Sequence, residues 1–162
     1  VLSIEGIALA SHLKERKVGQ RMAERCSEVL RSRGYSAQIK IVDDTSALQR
    51  GAALAIYART SSGCIIGADG AGEPGRTSED IGEHVARSLL EDLATGATVD
   101  RYLADQLILY AALAEGVSEY RISRLTEHVD TNLWLVETML GATTEVKGNL
   151  VTITGVGYSS LP

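Results

Sequence analysis

The residues best suited to chemistry stand in two short stretches, one around residue 102 and one around residue 128. Tyr102, Asp105 and Gln106 are spaced i, i+3 and i+4, so on a helix they share one face. A ring beside a carboxylate and an amide suits a nucleoside, with stacking from the tyrosine and hydrogen bonds from the other two. The plain alternative is a polar first turn that meets water. His128 lies in Glu127-His128-Val129-Asp130-Thr131-Asn132, just ahead of a helix predicted over 131–140. Free N–H groups at a helix start attract anions such as phosphate. A neutral imidazole beside a bound phosphate is what nucleophilic attack on phosphorus requires. The plain alternative here is a polar loop residue. His12 and His84 stand in polar surroundings and read as surface residues.

A third stretch, Gly70-Ala71-Gly72-Glu73-Pro74-Gly75, matches the G-x-G-x-x-G pattern of dinucleotide loops. It is set aside, because the strands before it read as a hairpin and Pro74 lacks a backbone N–H to aim at phosphate. It reads as a glycine-rich connector.

The elements that must position these residues follow from periodicity. A strand is predicted over 1–10. A helix over 19–33 carries the stripe Val18, Met22, Cys26, Val29 and Leu30, and Gly34 ends it. An alternating strand over 36–42 precedes a hairpin of strands 52–58 and 64–68. The next helix starts at Thr77 or Ser78, buries Ile81, Val85, Leu89 and Leu93, and stops at Gly96. A third helix is predicted over 99–115, capped by Thr98, stopped by Gly116 and buried between two layers because it is apolar on two sides. A short strand over 120–125, a helix over 131–140 opened by Asp130, and a hairpin of strands 143–147 and 150–154 around Gly148-Asn149 complete the chain. The order β-α-β-β-β-α, then α-β-α-β-β, specifies an α+β protein of mixed sheets covered by helices. Two helices meeting at Gly96-Ala97 suggest a domain boundary there.

Composition narrows the classes. The chain has 162 residues, 44% apolar and 23% charged, with a formal net charge of −5. That composition folds and excludes wholesale disorder. The acidic balance argues against coating nucleic acid by bulk charge, though not against reading one strand end. No apolar run reaches the roughly 18 residues of a membrane helix, so no membrane partner is expected. The first ten residues lack the basic start of a signal peptide. A start at Val1 without Met, inside a strand-like stretch, reads as a fragment or processed product. Cys26 and Cys64 have no metal-ligand spacing and read as free buried thiols of a reducing compartment, with one disulfide as the alternative.

Four stretches together resemble the RNA 3′-terminal phosphate cyclase family: residues 96–107, containing Tyr102-Leu103-Ala104-Asp105-Gln106; Ala112-Leu113-Ala114-Glu115-Gly116-Val117-Ser118; His128-Val129-Asp130-Thr131-Asn132; and Gly155-Val156-Gly157. Each is weak alone, and the combination at these separations is specific. The likeness extends more loosely upstream, so it covers essentially the whole chain. The resemblance implies a small inserted α/β domain over 1–96, followed by the last βαβαββ-like unit of a large catalytic domain over 97–162. It implies a cytoplasmic, ATP-dependent ligase that converts an RNA 3′-phosphate end to a 2′,3′-cyclic phosphate. His128 would be the nucleophile, forming a histidine–AMP intermediate. Tyr102, Asp105 and Gln106 would bind the nucleotide, and Thr131 and Asn132 would support the loop presenting His128. The cofactors implied are ATP with Mg2+ or Mn2+.

Members of that family are about twice this length. The missing N-terminal half carries the family's metal-binding acidic residue, much of its adenine pocket and its RNA-binding basic residues. No metal ligand is therefore expected in this chain. The partners implied are an RNA 3′-phosphate end and the N-terminal half of the cyclase, in cis or as a second chain; a homo-oligomer is compatible with the sequence. The alternative is a non-catalytic, cyclase-like assembly factor of ribosome or RNA processing. His128 favours the enzyme, because that branch departs at this position. An unrelated α+β ligand-binding domain is the third reading.

Overall fold

Alternation along the first segment puts Ile4, Ala8 and Ala10 on one side of strand β1 (Ser3–Ser11), where they are buried, and leaves Ile7 and Leu9 exposed on the other. Helix α1 (Val18–Arg31) crosses over from it and buries Val18, Met22, Cys26 and Leu30 of the predicted stripe, with Val29 half-buried. The chain returns as β2 (Gln38–Asp44), parallel to β1, as a helical crossover allows. β3 (Gly51–Arg59) and β4 (Ile65–Ala71) form the expected antiparallel hairpin, and β3 also pairs antiparallel with β1. The mixed sheet has the order β2-β1-β3-β4. This antiparallel pairing, with Gly70 inside β4, is not the parallel unit that a dinucleotide loop needs.

Helix α2 (Ser78–Ala94) follows with Ile81, Val85 and Leu89 buried. It lies close to α1 at Gly82, where an added Cβ would collide with the Met22 carbonyl and come within 3.1 Å of the Cys26 nitrogen. Arg21 grips Glu79 with two bonds of 2.7 Å, and Arg25 pairs with Glu83, so charge reinforces the apolar contact. Cys26 is buried and Cys64 only half-buried, because Cys64 closes the β3–β4 turn through Thr60. Both are free thiols.

The computed structural model describes residues 1–159 and divides the chain into two compact units, Val1–Glu91 and a second that begins at Asp92. The second unit contains α3 (Leu103–Leu113), β5 (Glu115–Arg121), α4 (Glu127–Leu140), β6 (Thr143–Lys147) and β7 (Leu150–Val156). Its sheet is antiparallel, in the order β5-β7-β6. Tyr120, Val151 and Ile153 from the sheet close a core with Ile108 and Ala112 of α3 and Val129, Leu133 and Val136 of α4.

Several predicted boundaries shift in this unit. α3 starts at Leu103 rather than Val99, because the Asp100 carboxylate accepts the N–H groups of Tyr102 at 3.0 Å and Leu103 at 2.8 Å. Thr98 is not the cap; it exchanges hydrogen bonds with Arg121 at the end of β5. Gly116, expected to stop the helix, lies within β5 at φ +87. The strand predicted over 120–125 is accordingly displaced to Glu115–Arg121, where β7 supplies its pairing partners. α4 begins at Glu127 rather than Thr131, because the Thr126 hydroxyl accepts the Val129 N–H at 3.2 Å. Burial of α3 also differs. Its buried stripe is Ala104, Ile108, Ala111 and Ala112, while Leu109 and Tyr110 are 50% and 70% exposed. α3 is therefore covered on one side within its unit rather than held between two layers.

Candidate functional site

Tyr102 occupies the position before α3 and is 57% exposed. Its placement is set from two directions. Asp100 holds its N–H, as described, and Arg101 beside it is bound by Asp92 in the last turn of α2. The Asp92 carboxylate accepts the Arg101 main-chain N–H at 3.2 Å, Nε at 3.2 Å and Nη2 at 2.9 Å. Asp92 is buried and Arg101 partly so, with side-chain exposures of 2% and 16%. The turn that carries the tyrosine is thus fixed by two carboxylates.

One turn along α3, Asp105 is half-buried and Gln106 is exposed. Beneath them the Tyr120 hydroxyl donates to the Ala104 carbonyl at 3.0 Å from a buried position. Burial, reinforced by the negative charge of Asp105, pushes the Tyr120 phenol up to about 12, so it stays a donor at neutral pH.

His128 is on α4 itself rather than in a loop ahead of it, and its side chain is exposed. It lies in the first turn, where main-chain N–H groups lack helical partners. Asn132 stands four residues later, on the same face. Its amide donates to the Asp105 carbonyl of α3 at 3.5 Å. Asn132 thus joins the helix bearing His128 to the helix bearing Asp105, instead of supporting a loop. Thr131 is exposed in the same turn.

The C-terminal motif has a packing explanation. Gly155 passes so close to the end of α3 that a Cβ would collide with the Ala114 carbonyl and approach the Ala111 carbonyl to 2.5 Å. Beyond it, the N–H groups of Gly157 and Tyr158 donate to the Ala114 and Leu113 carbonyls at 2.9 and 2.8 Å, which caps the helix end. Glycine supplies both the close approach and the φ of +65 at Gly157.

His12 and His84 are exposed and belong to the other unit. Among the described residues, no group of three or more His, Cys, Asp or Glu is placed to hold a metal, and no helix is long and apolar enough to cross a membrane. Sequence reasoning missed Asp92, Arg101 and Tyr120. The signal for Asp92 was a single acidic residue three positions after Leu89 on an apolar stripe, at the helix end where the dipole disfavours it.

Residues 1–94 match the family model described as the RNA 3′-terminal phosphate cyclase insert domain. The chain is 36% identical to the RNA 3′-terminal phosphate cyclase of Pyrobaculum aerophilum, over 98% of this chain and 47% of that protein. It is 37% identical to the same-named protein of Thermococcus onnurineus, over 90% of this chain and 42% of that one. The Pyrobaculum neutrophilum protein is 31% identical, over 96% of this chain and 46% of its own length. The chain spans about half the length of the curated relatives it matches. A match to the insert domain, followed by similarity running on through α3 and α4, identifies the chain as a member of the RNA 3′-terminal phosphate cyclase family.

Proposed function

We propose that this chain supplies the nucleophile and part of the nucleotide pocket of an ATP-dependent RNA 3′-end cyclase, completed by the half of the relatives' length that it does not span. The imidazole nitrogen of His128 attacks the α-phosphorus of ATP. A P–N bond forms, the bond to the bridging oxygen breaks, and pyrophosphate leaves. The AMP then passes to an oxygen of the RNA 3′-phosphate as the P–N bond breaks. The neighbouring 2′-hydroxyl attacks that activated phosphate, loses its proton, and expels AMP to leave a 2′,3′-cyclic phosphate. Tyr102 stacks on the base, and Asp105 and Gln106 bond the nucleoside. A divalent ion held elsewhere in the complete protein would supply charge neutralisation for the triphosphate. No cluster among the described residues of this chain fits that ion, so none of its residues is assigned to it.

The observation that carries this reading is the hydrogen bond from Asn132 to Asp105, which links the two helices bearing the proposed nucleophile and the proposed pocket. Names of the relatives support the cyclase class. The reaction and the free thiols fit a cytoplasmic setting.

The test is incubation of the family-length protein with α-labelled ATP and Mg2+ or Mn2+. Covalent, acid-labile label is expected with the natural sequence and not with His128→Ala. Label surviving in the variant would remove His128 as the nucleophile. Label in neither would leave the non-catalytic binding reading in its place.

A further inference from the structure

The Asp92–Arg101 pair is a multiply bonded ionic contact of the second unit, and it stands immediately before the aromatic residue of the proposed pocket. Asp92 is 1% exposed, so its charge has been taken out of water. It also lies in the last turn of α2, where the negative end of the helix dipole opposes a carboxylate. A buried pair of this kind gives little net stability over an apolar replacement, because desolvation offsets its attraction. What it does provide is geometry. Two carboxylate oxygens face a planar fork, and one of them also accepts the main-chain N–H of Arg101 itself. Side chain and backbone of Arg101 are thereby fixed together, and the next residue is Tyr102. Asp100 then fixes the Tyr102 N–H from the other side of the turn. Three consecutive main-chain N–H groups, those of residues 101 to 103, are held by two carboxylates, yet the ring they deliver is more than half exposed. A rigid turn that presents an exposed ring needs a reason, and a binding partner for that ring is one.

We propose that Asp92 is a positioning residue for the nucleotide: through Arg101 it holds Tyr102 in the orientation that accepts the base. The proposal rests on the reading of Tyr102 as part of the nucleotide pocket. Asp92 itself touches no substrate. Its carboxylate lowers the entropy cost of binding by ordering the turn beforehand. Asparagine at 92 keeps the shape but removes the charge and one acceptor oxygen, so Arg101 loses its two-point grip and the turn is released.

The experiment is a double-mutant cycle in the family-length protein, with ATP affinity measured for the natural sequence, Asp92→Asn, Tyr102→Ala and the double variant, and a thermal midpoint recorded for each. The expected result is a loss of about tenfold in ATP affinity for Asp92→Asn, and no further loss when Tyr102 is already alanine. A lowered midpoint with unchanged affinity, or an affinity loss that adds fully to that of Tyr102→Ala, would reduce Asp92 to a structural residue and overturn the proposal while leaving the pocket reading intact. Unchanged affinity in Tyr102→Ala would overturn the pocket reading and this proposal with it. Should Asp92→Asn not fold, Arg101→Lys, which keeps the charge and gives up the fork, is carried through the same cycle with the same expected coupling.

Discussion

The Asn132 side chain reaches the main-chain carbonyl of Asp105 at 3.5 Å, joining α4 to α3 one turn from His128. The acceptor is a carbonyl, so only a donor at 132 can serve. Asn132→Asp places an acceptor against an acceptor, whereas Asn132→Ala merely removes the bond. The proposed adenylylation of His128 should slow in both variants and more in the aspartate one, with stability lowered by about 1 kcal/mol in the alanine variant. Labelling rates with α-labelled ATP check the order; equal rates in all three proteins would detach this contact from the chemistry.

Tyr102 is exposed in the free chain, so its ring contributes little to the core. Tyr102→Ala should weaken ATP binding by roughly 1–3 kcal/mol, the usual worth of an aromatic stacked on a base, while leaving the unfolding midpoint nearly unchanged. Titration with ATP and a denaturant melt measure the two quantities. Unaltered affinity would move the ring outside the site.

Gly155 leaves no room for a Cβ against the Ala114 and Ala111 carbonyls. Gly155→Ala should therefore separate β7 from the end of α3 and cost roughly 1–3 kcal/mol, as overpacking typically does. The urea midpoint of the variant reads this directly. A midpoint matching the natural sequence would show that the backbone yields easily there.

Alkaline pH should uncover two buried groups. Burial pushes Cys26 from 9.0 up to about 12, and burial with the Asp105 charge pushes Tyr120 from 10.0 up to about 12. Both folded values exceed the unfolded ones. The stability these groups confer is thus fully present below pH 9 and is lost as pH rises toward about 12. Melts across that range should show the decline. Under native conditions at neutral pH a thiol reagent should modify Cys64 well before Cys26, which should react only on unfolding. Equal rates for the two would contradict the buried setting of Cys26.

Much of the first unit was legible because its signals were local. Met22, Cys26 and Leu30 repeat at helical spacing, and Ala53 to Arg59 faces Ile65 to Ala71 across a short polar turn. The second unit was harder, because its caps compete. Thr98 and Asp100 are both plausible caps by type, and only the pairing of Thr98 with Arg121, 23 residues away, leaves Asp100 to open α3. Gly116 looks like a helix stop, yet a strand partner in β7 determines its role. Thr126 was passed over in favour of Asp130, which placed His128 outside the helix that carries it. The clustering of Tyr102, Asp105 and Gln106 at the start of α3 was legible from their spacing, whereas Asp92 was hidden because its partner is nine residues distant.

Consider the order in which the first sheet is made. β1 lies between β2 and β3, so the central strand emerges from the ribosome before either neighbour exists. Even once β2 has paired with one edge of β1, the backbone groups on its other edge wait without partners until translation has passed Arg59. During that interval the nascent segment is a sticky, unpaired template of the kind that chaperones cover. Slowing elongation between β1 and β3 should lengthen the vulnerable period and lower the yield of soluble chain.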